Sequence, residues 1–551
     1  MAVTILGTAL RAWQLADHPL WSDEFATLVF SLGQGFTDIP LDQGVTGDRL
    51  LESLTVQSSL GPGAALERLM TESNHPPLYF LLSNLWIHLW QSPGQLVDLE
   101  VVRSLPALFG ILAIPGTYCL VKVGTEQHST AFTERVPLPL VAAFLMAVSP
   151  FGIYLSQETR HYTLGLVWAI TSLCCWTIFV RHWSEPDPRS RSPRWLPWLW
   201  ILVNGLGIAT HFFVGLLLGA QAIALGILGV RWGLPRLRER WSLAIAVLGT
   251  TITALVWIPY AQGVAKAGLT DWLSETVTWI TGIEAIARLI AWTVTMGILL
   301  PVENQPTDIW VTSGYFMAIA TGSMIVGLWS AWRSRHHWLT ITHQRIFLGL
   351  GVLLGALFAV MLGIVLSLGK DITVAARYQF VTLPVVIALM AVGWWGLWRR
   401  RPRIAIAWLL MTLISGGCVA QGLAFQRPDR PDLMVDFIAQ IAGDRPDTAS
   451  TVIATVYKNH EQTGEILGLA WEWRSHSTKA SPQFLLAKKA PDHPAPNDTL
   501  QTAITPLPKP LDLWLVNFAA PENLEESNQC QRVPDTKHRV PGYSAKLYRC
   551  P

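Results

Sequence analysis

The sequence predicts an all-α polytopic membrane bundle of about eleven transmembrane helices with juxtamembrane helices, followed by a small C-terminal α/β soluble domain. Three observations predict it. Hydrophobic residues make up 51% of the 551-residue chain and charged residues 14%, against about 25% charged in an ordinary soluble domain. Long apolar runs recur up to about residue 424 and then stop. Arginine clusters punctuate those runs, and 27 tryptophans suit the aromatic belts of a membrane interface. The net charge of +2 provides no global basic field, so nucleic acid is excluded as a partner.

The arginines orient the bundle. Arg181, Arg189, Arg191 and Arg194 form one cluster, and Arg231, Arg236, Arg238 and Arg240 a second. Arg333, Arg335 and Arg345 form a third, Arg399, Arg400, Arg401 and Arg403 a fourth, and a weaker one spans Lys122 to Arg135. Loops rich in Lys and Arg translocate poorly, so all five are placed in the cytoplasm. Parity then assigns crossings at 1–15, 104–122, 137–155, 163–180, 196–210, 212–230, 242–258, 311–331, 346–368, 380–398 and 404–424. Stretches 16–103 and 259–310 become outside loops. The N-terminus is cytoplasmic, and the chain divides into a membrane domain, 1–424, and an extracytoplasmic domain, 425–551. The expected location is the cell (inner) membrane, as a multi-pass protein.

Two apolar segments resist this scheme. Counting His75–Trp90 or Ile280–Leu300 alone as a span would put basic clusters on opposite sides. Both are read as juxtamembrane helices on the outer face, two further ordinary spans being the alternative. The first crossing is also short. Fifteen residues reach about 22 Å, against a hydrocarbon core of about 30 Å, and Arg11 lies within them. Either the start lies upstream or the bilayer is thinned there. A cleavable signal peptide would show a basic n-region and a small-residue cleavage site, and neither is evident.

Beyond about Arg427 the chain turns polar. "TVIATV" and "LDLWLVNF" read as buried strands and "APDHPAPNDT" as a Pro-rich loop. There is no internal repeat and no Gly-rich phosphate loop. None of the six cysteines has zinc-site spacing. Cys119, Cys174, Cys175 and Cys418 fall in apolar spans. Cys530 and Cys550 lie beyond the last span, in a compartment where disulfides persist, and are expected to pair.

Candidate functional residues collect near the outer ends of the spans. "LWSDEF" carries Asp23 and Glu24, adjacent and so unable to point at one atom from a regular helix. One suits a base and the other a partner for a cation or arginine, or both simply favour a helix N-terminus. "SNHPPLYF" sets His75 before Pro76 and Pro77, as a ligand for a metal, phosphate or carboxylate, or as a loop residue. "SPFGIYLSQETRHYTL" joins two spans with almost no loop and holds Glu158, Arg160, His161 and Tyr162 at the membrane surface. Ionisable groups at membrane depth are functional candidates, a structural Glu–Arg pair being the plainer role. "GKDITVAARYQF" puts Lys370, Arg377 and Tyr378 outside, against the usual bias. That suits anion binding, since the planar fork of Arg matches a phosphate, though a snorkelling arginine also fits. His211, in "GIATHFF", is a weak metal or substrate candidate.

At these residues the chain resembles the GT-C membrane glycosyltransferases, and is similar to the glycosyltransferase family 39-like group that includes protein O-mannosyltransferases and lipid A aminoarabinose transferases. The segments "LWSDEF", "HPPLYFLL", "RSLPALFGILAIPGTYCL", "SPFGIYLSQETRHYTL", "ATHFF" and "ARYQFVTLP" run in the family's order over about residues 10–385. The resemblance implies a polyprenyl-phosphate sugar donor, a lipid, glycan or protein acceptor, and reaction on the outer face beside membrane lipids. It implies Asp23 as catalytic base with Glu24 beside it, Glu158 as the second acid, and Arg377 at the donor phosphate. It requires no cofactor and admits a divalent cation, with His211 and Glu24 as weak ligand candidates. His161 departs from the Glu-Ala-Arg-Met-Tyr of many relatives. The alternative is a transporter or flippase of lipid-linked sugars, which would put ionisable residues mid-helix and often show two similar halves.

Overall fold

The computed structural model describes residues 1–125, 138–185, 191–260, 273–274, 276–337, 340–443, 445, 447–476, 481–490, 493–519 and 530–551. Arg135 and Arg189 of the expected basic clusters lie outside these residues. The chain forms two compact units. One takes Met1–Leu15, Asn74–Tyr79 and Arg103–Gln426, and the other Ala16–Ser73, Phe80–Val102 and Arg427–Pro551. The C-terminal segment, expected to stand alone, therefore shares a unit with most of the stretch expected to be an outside loop.

The first unit is helical. A helix stands at each of the eleven expected crossings: Ala2–Ala12, Leu99–Thr125, the pair Leu138–Val148 and Pro150–Ser156, Tyr162–Ser184, Leu196–Thr210, Val214–Trp232, Leu237–Leu255, Thr307–Arg333, Ile341–Leu368, Leu383–Arg400 and Pro402–Ala420. Among the described residues six helices are long and apolar enough to cross a membrane, or seven if the bent pair counts as one span. The apolar segments left out of that count form Leu78–Trp90 and Trp279–Thr295. Boundaries follow local chemistry. The Thr340 hydroxyl accepts from the His343 amide to start Ile341–Leu368, and Gly369, at φ 62°, ends it in the left-handed region. Small residues let two helices meet backbone to backbone: a Cβ on Gly327 would lie 2.3 Å from the Gly393 carbonyl oxygen.

Arg11, within the short first helix, has a set of structural partners. It is fully buried. Its guanidinium donates to the carbonyls of Gly7 (3.0 Å), Ala147 (2.8 Å) and Met146 (3.0 Å) and to Ser156 Oγ (3.1 Å). Met146 and Ala147 end the helix Leu138–Val148, which bends by 54° into Pro150–Ser156. Pro150 lacks an N–H, so the carbonyls before the break need partners from elsewhere. Arg11 supplies the donors, and its charge suits a helix C-terminus. The Ser149 hydroxyl donates to Met296 O (2.6 Å) and accepts from Gly152 N (3.1 Å).

The second unit is built on a seven-stranded sheet. Its strands are β1 (Gly44–Thr46), β2 (Ser450–Tyr457), β3 (Gln483–Lys488), β4 (Leu511–Val516), β5 (Gln531–Arg532), β6 (His538–Val540) and β7 (Tyr543–Cys550). The order is β1-β3-β2-β4-β7-β5, with β6 also on β7. β3, β2 and β4 run parallel, joined by the crossover helices His460–Trp473 and Pro496–Ile504, as parallel pairing demands. β2 and β4 are the two apolar runs read from sequence. β1 comes from the first loop and adds antiparallel to β3. Its register is held by Asp42, whose amide donates to Leu486 O (2.8 Å) and whose Oδ1 accepts from Lys488 N (2.8 Å). Cys530 and Cys550 form a disulfide, Cα atoms 4.0 Å apart, fixing the end of β7 beside β5.

Replacing Arg11 by Leu should leave the Met146 and Ala147 carbonyls without these donors in a buried setting. Each unsatisfied group costs about 1–3 kcal/mol. Thermal unfolding of the detergent-solubilised protein should drop by several degrees, and Arg11→Lys should recover only part of the loss.

Candidate functional site

In the first unit residues 157–161 form a turn between the helices Pro150–Ser156 and Tyr162–Ser184, with the Arg160 amide donating to the Glu158 carbonyl (2.7 Å). The Gln157 amide tethers the segment by donating to the Trp13 carbonyl (2.9 Å). Glu158 and His161 are fully buried, and Arg160 nearly so. Arg160 Nη2 lies 3.4 Å from His75 Nε2, and its guanidinium sits 5.6 Å from the Tyr162 ring. Pro76 and Pro77 deny the chain two amide donors, so no helix forms before Leu78. Tyr260 Oη holds His75 in place by donating to its carbonyl (3.1 Å).

Three histidines gather here. The His75 and His161 rings are 5.0 Å apart, and those of His161 and His211 4.6 Å apart. Tyr79 stands 6.2 Å from His161, and Phe380 5.0 Å from His211. His211 Nδ1 accepts from the Phe213 amide (3.0 Å), so that nitrogen is engaged. Burial, then the charges of Arg160 and Arg377, pushes His75 down to about 3. Burial likewise drives His161 and His211 down. Burial thus favours the uncharged form of all three rings.

Arg377 lies on a short 3₁₀ segment, Ala376–Val381, 5.3 Å from the ring of Tyr378. The loop before it is anchored by Asp371, which is fully buried. Asp371 Oδ1 accepts from Thr373 N (2.8 Å) and Thr373 Oγ1 (2.6 Å), and Oδ2 pairs with Arg288. Arg288 Nε also donates to Thr373 Oγ1 (3.1 Å), and Trp292 Nε1 to Thr373 O (2.8 Å). The helix Trp279–Thr295 thus holds the loop that delivers Arg377. Lys370 is engaged with Ser274, Nζ donating to Oγ at 2.6 Å.

The second unit carries the other two candidates. Asp23 and Glu24 lie in the first turn of Ser22–Ser31. Asp23 is half-buried and Glu24 fully buried. Among the described residues no group of three or more His, Cys, Asp or Glu is placed to hold a metal ion.

The first unit therefore brings together His75, Arg160, His161, Tyr162, His211 and Arg377. Sequence reasoning missed Tyr79, Tyr260, Asp371 and Arg288. Asp371 had a local signal, an acid between Lys370 and Arg377 in an apolar surrounding. Arg288 had one too, as the lone arginine of an apolar stretch.

No protein-family model and no curated protein matches the chain. Among solved structures it is similar to ArnT from Cupriavidus metallidurans bound to undecaprenyl phosphate, at 12% identity, over 99% of this chain and 97% of that one, with a TM-score of 0.48. The same protein in the apo state matches at 12% identity over 95% and 96%, with a TM-score of 0.45. The oligosaccharyltransferase AglB from Archaeoglobus fulgidus, in complex with an inhibitory peptide and a dolichol-phosphate, matches at 10% identity over 93% of this chain and 69% of that one, TM-score 0.43. At these values the likeness carries no chemistry to this chain, which must be read from its own side chains.

Arg288→Ala should free the 371–375 loop. Backbone amides there, Thr373 above all, should exchange with deuterium at least about tenfold faster, since a broken buried charge pair costs several kcal/mol. Arg288→Lys should restore part of the protection.

Proposed function

We propose that the protein is an inverting glycosyltransferase of GT-C type, moving a hexosyl or pentosyl group from a polyprenyl-phosphate donor to a lipid, glycan or protein acceptor. Asp23 is the general base, taking the proton of an acceptor hydroxyl as its oxygen attacks the anomeric carbon. The bond from that carbon to the phosphate oxygen breaks, and its electron pair leaves with the lipid phosphate. Arg377 stabilises the charge that develops there. A single displacement inverts the anomeric centre and needs no cofactor, and a divalent cation beside the phosphate is compatible with it. Glu158 serves as a second acid. Arg160, His75, His161, Tyr162 and Tyr378 contribute to donor binding, and Lys370 adds positive charge to the same loop.

The observation that carries this proposal is the cluster in which the Arg160 guanidinium lies 3.4 Å from His75 Nε2 and the rings of His75, His161 and His211 follow one another at 5.0 and 4.6 Å. Two arginine forks beside uncharged hydrogen-bonding rings suit a dianionic or monoanionic phosphate better than they suit a metal or a sugar alone. The order of the sequence segments supports the same class. The basic clusters support a cytoplasmic N-terminus, with the reaction and residues 425–551 outside a cell membrane and the transferase portion within 1–424. A transporter is less favoured, because the one arginine inside the first helix is spent on capping a broken helix.

The test is transfer in proteoliposomes from a polyprenyl-phosphate sugar, the natural sugar first being identified by mass spectrometry of lipid-linked sugars in a strain lacking the protein. Asp23→Asn keeps shape and removes the base, and should lower kcat at least about 10²-fold. Arg377→Ala should raise the KM for donor more than that for acceptor, and Arg377→Lys should rescue only partly. Near-normal turnover in Asp23→Asn would overturn the role of the base.

A further inference from the structure

We propose that the C-terminal segment is a positioning device for Asp23, with Asp429 and Gly464 as the positioning residues. This deepens the proposed function and rests on Asp23 being its base. Every contact concerned lies within the second unit.

The Ser22–Ser31 helix is short, 10 residues, and its N-cap Trp21 makes no side-chain capping bond. A helix of that length is marginal by itself, and its first turn, which carries Asp23, is where fraying begins. The missing acceptor comes from the far end of the chain. Asp429 Oδ2 accepts from both the Ser22 amide (3.1 Å) and the Ser22 hydroxyl (2.5 Å), across 407 positions. An acid at this place also complements the positive end of the helix. Asp429 thus fixes the residue that immediately precedes Asp23.

The second constraint is steric. Gly464, in the crossover helix His460–Trp473, faces Ser22 so closely that a Cβ there would stand 2.9 Å from Ser22 Cα, Cβ and O. These are largely backbone atoms, so a side chain at 464 must displace the first turn of the acid-bearing helix. Phe25 of the same acid-bearing helix meets Trp471 edge to face, ring centroids 6.4 Å apart, and Phe36, in the short 3₁₀ segment Phe36–Asp38 that follows, meets His460 at 5.3 Å. Burial raises the Glu461 carboxyl, and the charges of Asp429 and Asp23 raise it further. A general base has to be held to within about 0.5 Å of its working position, and a misplacement of about 1 Å can cost about 10²-fold in rate.

The experiment compares full-length Gly464→Ala, Asp429→Ala, Asp429→Asn, Ser22→Ala and Asp23→Asn in the proteoliposome assay. Gly464→Ala and Asp429→Ala should lower kcat at least about tenfold with the KM for donor unchanged. A merely structural lesion would instead reduce the amount of active enzyme and leave the kcat of the folded fraction intact, as judged by active-site titration with labelled donor. Asp429→Asn keeps an oxygen acceptor for Ser22 and should recover most of the loss. Formation of the Cys530–Cys550 disulfide reports whether the sheet has folded. Should Gly464→Ala fail that check, Ser22→Ala decides, since it removes one hydroxyl and should still lower kcat several-fold. Wild-type kcat in Gly464→Ala, Asp429→Ala and Ser22→Ala, alongside an inactive Asp23→Asn, overturns the positioning proposal alone. An active Asp23→Asn overturns the base and the positioning proposal together.

Discussion

The first unit depends on the capping of a broken helix by Arg11. A kink of 54° inside an apolar helix leaves carbonyls that lipid cannot satisfy. The guanidinium, buried and aimed at Met146 and Ala147, removes that cost. Beyond the kinked pair the chain enters the segment 157–161, with Glu158, Arg160 and His161. A straight helix would carry those residues elsewhere. The arginine that looked like a defect in a short first span instead supplies donors to the carbonyls at the break that precedes the histidine and arginine cluster.

Much of the helical framework was legible because it rests on local pattern. Runs of apolar residues mark helices whatever their partners. Asp23, Glu158, Arg160 and Arg377 stood out for the same reason, as sparse charges beside apolar runs. The parts that escaped are pairings. Arg288 and Asp371 are 83 positions apart and recognise each other only in the folded chain. Tyr260 reaches the His75 carbonyl across 185 positions, leaving no trace in either local sequence. β1 is three residues, Gly-Val-Thr, mostly exposed, with neither the length nor the alternation that marks a strand. It is a strand because β3 offers it an edge.

The same distinction separates the two acids of the first loop. Adjacent residues on a helix point about 100° apart, so one of Asp23 and Glu24 had to turn inward. Which one is set by what covers the helix, and here Glu24 is buried and Asp23 half-exposed. Lys370 and Arg377 separate similarly. Lys370 goes to Ser274 while Arg377, seven positions on, lies beside Tyr378, with Asp371 pinning the chain between them to Arg288.

The pairing of β1 with β3 bears on how the protein is made. Thr46 emerges from the ribosome early and Gln483 late, yet the two are neighbours in one sheet. The 407 positions between Ser22 and Asp429 take roughly 20 to 80 s to translate at about 5–20 residues per second. For that time the first loop has no sheet to join and no acceptor for its leading helix. It waits as an unpaired strand and an uncapped helix, open to the proteases and chaperones of whichever compartment holds it. The final strand, β7, then completes the sheet through β4, and the disulfide at Cys550 seals the last residue but one. Chains cut short before β3 leave β1 without the edge it pairs with.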